Sequence, residues 1–122
     1  MARFLKGFSY AFRGILTAFR SERNLRIHII AALLAVALGF FLGLSILEWG
    51  FIIFAIGFVL VSELFNTAIE RLSDKVAGEQ QDNIIGKIKD ISAGAVLVSA
   101  FTALAIGIIF LFIPLVEKLF AL

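Results

Sequence analysis

Trp49-Gly-Phe-Ile-Ile-Phe-Ala-Ile-Gly-Phe-Val-Leu-Val-Ser-Glu63-Leu-Phe-Asn66-Thr-Ala-Ile-Glu70-Arg-Leu-Ser-Asp74 starts as sequence suited to lipid and ends as sequence suited to water. No residue from Trp49 to Ser62 is charged, and none is proline. As a helix running to Lys75, at about 1.5 Å per residue, the segment exceeds the ~30 Å of bilayer hydrocarbon. Its Glu70–Asp74 end therefore projects into water. Counted from Glu63, Asn66, Glu70 and Asp74 follow at +3, +7 and +11, within about 80° of arc on one helical stripe. An ionisable side chain at the end of a lipid-spanning segment is costly and marks a functional site by default. Three acids and an amide descending toward water suit a hydrated metal and phosphate groups better than packing.

The rest of the chain fits the same setting. Of its 122 residues, 61% are hydrophobic and 14 are Phe; the mean hydropathy is +1.07. A soluble domain of this size has too little interior for that much apolar surface. The composition predicts an all-α integral membrane protein with one domain over 1–122, too small to enclose a deep site alone and so expected to oligomerise. Cysteine is absent and His28 is the only histidine, which excludes disulfides and an ordinary zinc site. No cleavable signal sequence is visible.

Residues 3–20 read as an amphipathic surface helix. Phe4, Leu5, Phe8, Phe12, Ile15, Leu16 and Phe19 recur every three or four residues, interrupted by Arg3, Lys6, Arg13 and Arg20. Packing on the protein's own bundle is an alternative compatible with this. The spans are expected at 27–47, 49–75 and 91–116, with Glu48 and Trp49 as an interfacial turn and 77–89 as a polar connector. Small residues Ser92, Ala93, Gly94, Ala95, Ala100, Ala103 and Gly107 in the third span permit close helix contact. Ten of the eleven Lys and Arg precede residue 27 or lie between 71 and 89. The positive-inside rule then places the N-terminus and connector in the cytoplasm and the C-terminus outside. Glu63–Asp74, Lys89 and Asp90 meet at that cytoplasmic edge.

Glu63 follows Trp49 by 14 residues, roughly 21 Å of helix, which puts it in the inner part of the bilayer. There it suits removal of a proton from an alcohol; a glutamate hydrogen-bonded to a neighbouring helix is the alternative. Glu70, two turns lower, can act as a hard oxygen ligand. Glu22, the only acid in the first 47 residues, lies at the same edge, though alone it reads as a solvated residue among bases. Asp90 near a helix start also reads as a cap, Lys89 as a phosphate contact, and His28 as a hydrogen-bonded structural histidine. The chain has no G-x-x-x-x-G-K-[ST] loop and no kinase H-R-D or D-F-G set.

Glu63-Leu-Phe-Asn-Thr-Ala-Ile-Glu70 with Asp74, then Lys89-Asp90-Ile-Ser-Ala-Gly-Ala-Val96, resembles the signature of the small prokaryotic diacylglycerol kinases, E-x-x-N-[ST]-A-I-E-x-x-x-D and K-D-x-x-[AS]-[AG]-A-V. The resemblance covers almost the whole chain. It implies a three-span homotrimer in the bacterial inner membrane, with shared sites at the cytoplasmic surface, phosphorylating a membrane lipid alcohol with Mg²⁺ and ATP. It further implies Glu63 as general base, Asn66 supporting the reacting groups, and Glu22 and Glu70 holding magnesium. Asp74, Glu79, Gln81, Lys89 and Asp90, together with Glu22 and Glu70, would form the nucleotide site. Arg3 and Tyr10 match positions near nucleotide or substrate, and Arg3 and Arg13 are further lipid-side candidates. Gln81-Asp-Asn83 departs from relatives that carry a His-containing segment. Ser21-Glu-Arg-Asn24 with His28, Leu44–Trp49 and Asn66-Thr-Ala-Ile look like the undecaprenol kinase branch; diacylglycerol is the other substrate the family implies.

The expected partners are the lipid, ATP and further copies of the chain, not nucleic acid. Two other classes compete. An ion-coupled exporter needs its acid near the bilayer centre and gains nothing from Lys89-Asp90, and a structural oligomer explains none of the acids.

Overall fold

The computed structural model describes residues 1–80 and 82–121; Gln81 lies outside the described residues. The helices are α1 (Ala2–Ser21), α2 (Arg23–Leu42), α3 (Ile46–Ala77) and α4 (Asn83–Gly107). A π-helical turn at Ile108–Phe112 carries α4 into a last helix, α5 (Ile113–Leu119). Three helical stretches, Arg23–Leu42, Ile46–Ala77 and Asn83–Leu119, are long and apolar enough to cross a membrane. The architecture is thus the expected set of three long apolar helices preceded by a helix with apolar and basic faces.

The helices sit around α3, which packs along α4 and against α2, while α1 touches α2 and α3. The residues α3 buries are Ile52, Ala55, Val59, Glu63, Thr67 and Ser73. From Ile52 to Thr67 they follow the three-and-four spacing of one helical face. Glu63 therefore lies on the packing face of α3, with an alanine two turns above it. Leu33, Leu34, Phe54, Phe101 and Leu104 stay exposed on the outside of the bundle, which suits hydrocarbon surroundings.

The helix ends differ from the hydropathy pattern for local reasons. α2 begins at Arg23 and ends at Leu42, not 27–47, because Gly43 takes a left-handed conformation (φ 69°). Leu44 N–H donates to Gly39 O and Gly43 N–H to Phe40 O, the paired bonds that close a helix at a left-handed residue. α3 then starts at Ile46, three residues before the expected 49. Ser45 Oγ accepts from Glu48 N–H at 3.2 Å while Glu48 Oε2 accepts from Ser45 N–H at 2.7 Å, a reciprocal cap on two otherwise unsatisfied donors. Trp49 packs inward as well: its ring is 4.8 Å from that of Phe40 and lies over Gly39.

α4 starts at Asn83, eight residues before the expected 91, because Asp82 Oδ1 accepts from Ile84 N–H at 2.7 Å. Much of the expected 77–89 connector is therefore helix: α3 runs to Ala77 and α4 begins at Asn83. At the far end Pro114 neither stops the helix nor kinks it apart. Proline has no N–H and crowds the carbonyl four residues back; the wider π turn just before it absorbs the mismatch. Lys118 Nζ then donates to Phe41 O at 3.0 Å, tying α5 to the end of α2.

Candidate active site

One residue separates α1 from α2. Glu22 is extended (φ −109°, ψ 113°) between two helices, so its carboxylate stands at a sharp corner. Arg26 steadies that corner by donating to Phe19 O at 2.8 Å and Arg20 O at 3.0 Å, satisfying carbonyls that a helix end leaves open. Arg71 of α3 reaches the same place, donating to Ser21 Oγ with its guanidinium 4.0 Å from Glu22 Oε1. These contacts fix Glu22 against the lower part of α3. Neither Arg26 nor Arg71 was legible as a site residue from spacing, since their partners lie on other elements or past a corner.

Glu63 is 2% exposed. Its Oε1 lies 3.1 Å from Nε2 of His28 on α2, yet no well-aligned hydrogen bond reaches that oxygen among the described residues. The distance and the missing alignment are compatible: the imidazole is adjacent, with its N–H direction off the oxygen. The other charges bearing on Glu63 are the carboxylates of Glu22 and Glu70. The structure thus gathers Glu63, Glu22 and Glu70 in one neighbourhood, with His28 as a fourth member. A two-helix contact of this kind leaves no trace in the spacing of either helix.

The lower half of the stripe turns toward α4. Asn66 Oδ1 accepts from Ser92 Oγ at 2.8 Å, and Asp74 Oδ1 lies 2.5 Å from Lys89 Nζ. Asn66 therefore faces α4 while Glu63 faces α2, although both fall in the same arc. Glu70 lies between, its charge bearing on both Glu63 and Lys89. Around Asp74 and Lys89 opens a polar cleft of 630 Å³, lined also by Gly78, Glu79, Asn83, Lys87 and Asp90. Four of the expected nucleotide residues, Asp74, Glu79, Lys89 and Asp90, share this cleft. Asp90 is exposed there and does not cap α4, a task that falls to Asp82.

Tyr10 and Arg13 line a second cleft, between α1 and α3, with Thr67 and Arg71. The Arg13 guanidinium sits 5.5 Å from the Tyr10 ring centroid. Arg3 is exposed on the first turn of α1 and lines none of these clefts. A third, apolar cleft of 430 Å³ runs between α2, α3 and α4. His28 lies on its wall together with Ala31, Ala35, Ala55, Ala103 and Phe112. Small side chains on three helices make this opening.

No cluster of three or more His, Asp or Glu suited to a metal is formed among the described residues. Magnesium does not require one, since it is usually held by one or two carboxylates with water and phosphate oxygens completing six positions. Glu22 and Glu70 supply hard oxygen donors whose charges both bear on Glu63, and donors of that kind fit the ion. Chemically the arrangement pairs a buried acid, whose neighbour His28 lines an apolar cleft, with a polar, cation-bearing cleft that begins at Asp74, about three helical turns below.

The sequence profile of the prokaryotic diacylglycerol kinase family matches residues 9–111. The undecaprenol kinase of Bacillus subtilis (strain 168) is 40% identical over 112 residues, covering 92% of this chain and 89% of that one. A diacylglycerol kinase of Synechocystis sp. is 32% identical over 113 residues, or 93% of this chain and 65% of its own. The diacylglycerol kinase of Escherichia coli (strain K12) is 29% identical over 101 residues, 83% and 82% of the two chains.

Proposed function

Because the chain belongs to the prokaryotic diacylglycerol kinase family and is on that ground a membrane lipid kinase, we propose that it phosphorylates undecaprenol at the cytoplasmic face of a bacterial inner membrane. The observation that carries the chemistry is Glu63, a carboxylate buried among apolar helices, in contact with His28 of an apolar cleft's wall and above a polar cleft. The choice of undecaprenol rests on the 40% identity to the Bacillus subtilis protein of that name. Diacylglycerol is the second reading, favoured by the names of the relatives at 32% and 29% identity.

In this reading the lipid enters sideways between helices, its tail along the apolar cleft and its hydroxyl at Glu63. The nucleotide approaches from water into the cleft of Asp74, Glu79, Lys89 and Asp90, with Gln81 in the same connector. Glu63 takes the hydroxyl proton as the lipid oxygen bonds to the γ-phosphorus. The bond from that phosphorus to the β–γ bridging oxygen breaks, and ADP leaves. Phosphoryl transfer asks mainly for positioning and charge neutralisation. Lys89 and the α1 residues Arg3 and Arg13 supply cationic charge on the protein side. Tyr10 stacks against Arg13 and holds its guanidinium near the α1–α3 cleft. Asn66, anchored by Ser92, keeps α3 and α4 in register beside the reacting groups.

Glu22 and Glu70 are the proposed magnesium ligands. Bound there, Mg²⁺ would offset charge on the β- and γ-phosphates. The working unit is a homotrimer, with the N-terminus in the cytoplasm and the site facing it; the apolar outer faces of α2, α3 and α4 are the surfaces available for that assembly.

Purified protein incubated with labelled ATP and either undecaprenol or diacylglycerol tests both class and substrate. Glu63→Gln should keep the fold and lose most transfer, since an amide fills the same space and takes no proton; general-base removal typically costs about 10²- to 10⁴-fold. Near-normal transfer by Glu63→Gln would overturn the assignment.

A further inference from the structure

We propose that His28 is a positioning residue, holding Oε1 of Glu63 so that Oε2 is the oxygen presented to the lipid hydroxyl. The inference rests on the reading of Glu63 as base and adds a residue to it. Two helices meet at this contact: His28 is on the second turn of α2, Glu63 on the buried face of α3, with Nε2 and Oε1 3.1 Å apart. The Glu63 side chain is 3% exposed and the His28 side chain 27%.

The polar neighbours of Glu63 on its own helix are turned to other partners. Ser62 Oγ donates to Phe58 O, Thr67 Oγ1 to the Glu63 backbone oxygen, and the Asn66 side chain is turned to α4, where its Oδ1 accepts from Ser92. Among the charged groups, Glu22 at the α1–α2 corner and Glu70 on α3 carry the same sign and cannot hold an anion. Lys89 of α4 is turned to Asp74. Among the described residues it is the imidazole of His28 whose nitrogen stands at donor distance from the buried oxygen. A buried carboxylate without a partner is costly, and a base free to swing loses the near-attack geometry that its rate depends on. A modest rotation of the imidazole, as the lipid hydroxyl arrives, aligns Nε2–H with Oε1. His28 also forms part of the apolar cleft wall, so the side chain that would hold the base also borders the proposed path of the lipid tail.

A packing role and a positioning role differ in what substitutes for the imidazole. The test uses the full chain in lipid with undecaprenol and Mg-ATP, comparing His28→Leu, His28→Gln and each combined with Glu63→Gln. His28→Leu should lower kcat about 10- to 100-fold, with KM for lipid and ATP within about twofold. His28→Gln, whose amide nitrogen reaches about as far as Nε2, should recover to within about threefold of the parent. In the Glu63→Gln background neither change should slow the enzyme further, because two residues acting through one atom are not additive. Equal losses in the Leu and Gln variants, a loss confined to lipid KM, full additivity, or an unaffected His28→Leu would each overturn the inference. Should His28→Leu fail to assemble, His28→Asn, whose amide falls short of Oε1, takes its place. The underlying reading fails separately, through an active Glu63→Gln single variant.

Discussion

Glu22 and Glu70 come from different parts of the fold, one from a corner between helices and one from the C-terminal third of α3. Their convergence near Glu63 makes a shared role testable. Either Ala substitution should raise the magnesium concentration for half-maximal rate by about tenfold, the scale expected from losing one carboxylate contact with a charged partner. An unchanged magnesium titration in both variants would remove the proposed metal site. At this scale the sequence was informative about which acids share one stripe of α3 and silent about what touches them. Depth and spacing along a single helix singled out Glu63, Glu70 and Asp74. The His28 contact, the Asn66–Ser92 bond and the reach of Arg71 depend on how α2, α3 and α4 are rotated against one another, which no one helix records.

Element boundaries followed local chemistry over hydropathy. Leu44, Ile46 and Leu47 prolong an apolar run that the backbone has already left at Gly43, so hydrophobicity alone overshot the end of α2. Ile84, Ile85, Ile88 and Ile91 keep a helical period beneath the polar residues of the expected connector, and Asp82 starts a helix there. The α2–α3 hairpin has a further requirement at Gly39. A Cβ at that position would lie 2.6 Å from the tip of the Trp49 ring and 3.1 Å from Leu44 Cδ1. Gly39→Val should therefore destabilise the fold by about 1–3 kcal/mol, the usual cost of overpacking. Thermal unfolding in detergent checks it, and a companion Trp49→Leu change, by making room, should restore part of the loss. A midpoint unmoved in Gly39→Val would show that the hairpin does not depend on this contact.

At the scale of the whole molecule, the proposed orientation follows from basic residues at one end of the bundle and near absence at the other. The natural chain contains no cysteine, so a single introduced thiol reports its side of the membrane without background. A cysteine at Glu79 in the α3–α4 turn should resist a membrane-impermeant reagent in intact cells, and one at Phe120 should react. The reverse pattern would invert the topology and move the proposed nucleotide cleft to the wrong side for ATP. Three long apolar helices were plain from composition. How they gather around α3, with its acid on the buried face, was not, because an all-apolar helix surface does not mark which side meets protein and which meets lipid.

The corner at Glu22 has a mechanical consequence. A helix of 20 residues behaves as a stiff rod, so a tilt of α1 is passed undiminished to its end. That end is joined to α2 through one extended residue, which makes Glu22 a pivot. A tilt of α1 against α2 would turn about this residue, working against the Arg26 and Arg71 contacts that hold the corner. With α1 in the interface, as its apolar and basic faces suit, the bilayer surface would act as a lever on one of the two proposed magnesium ligands.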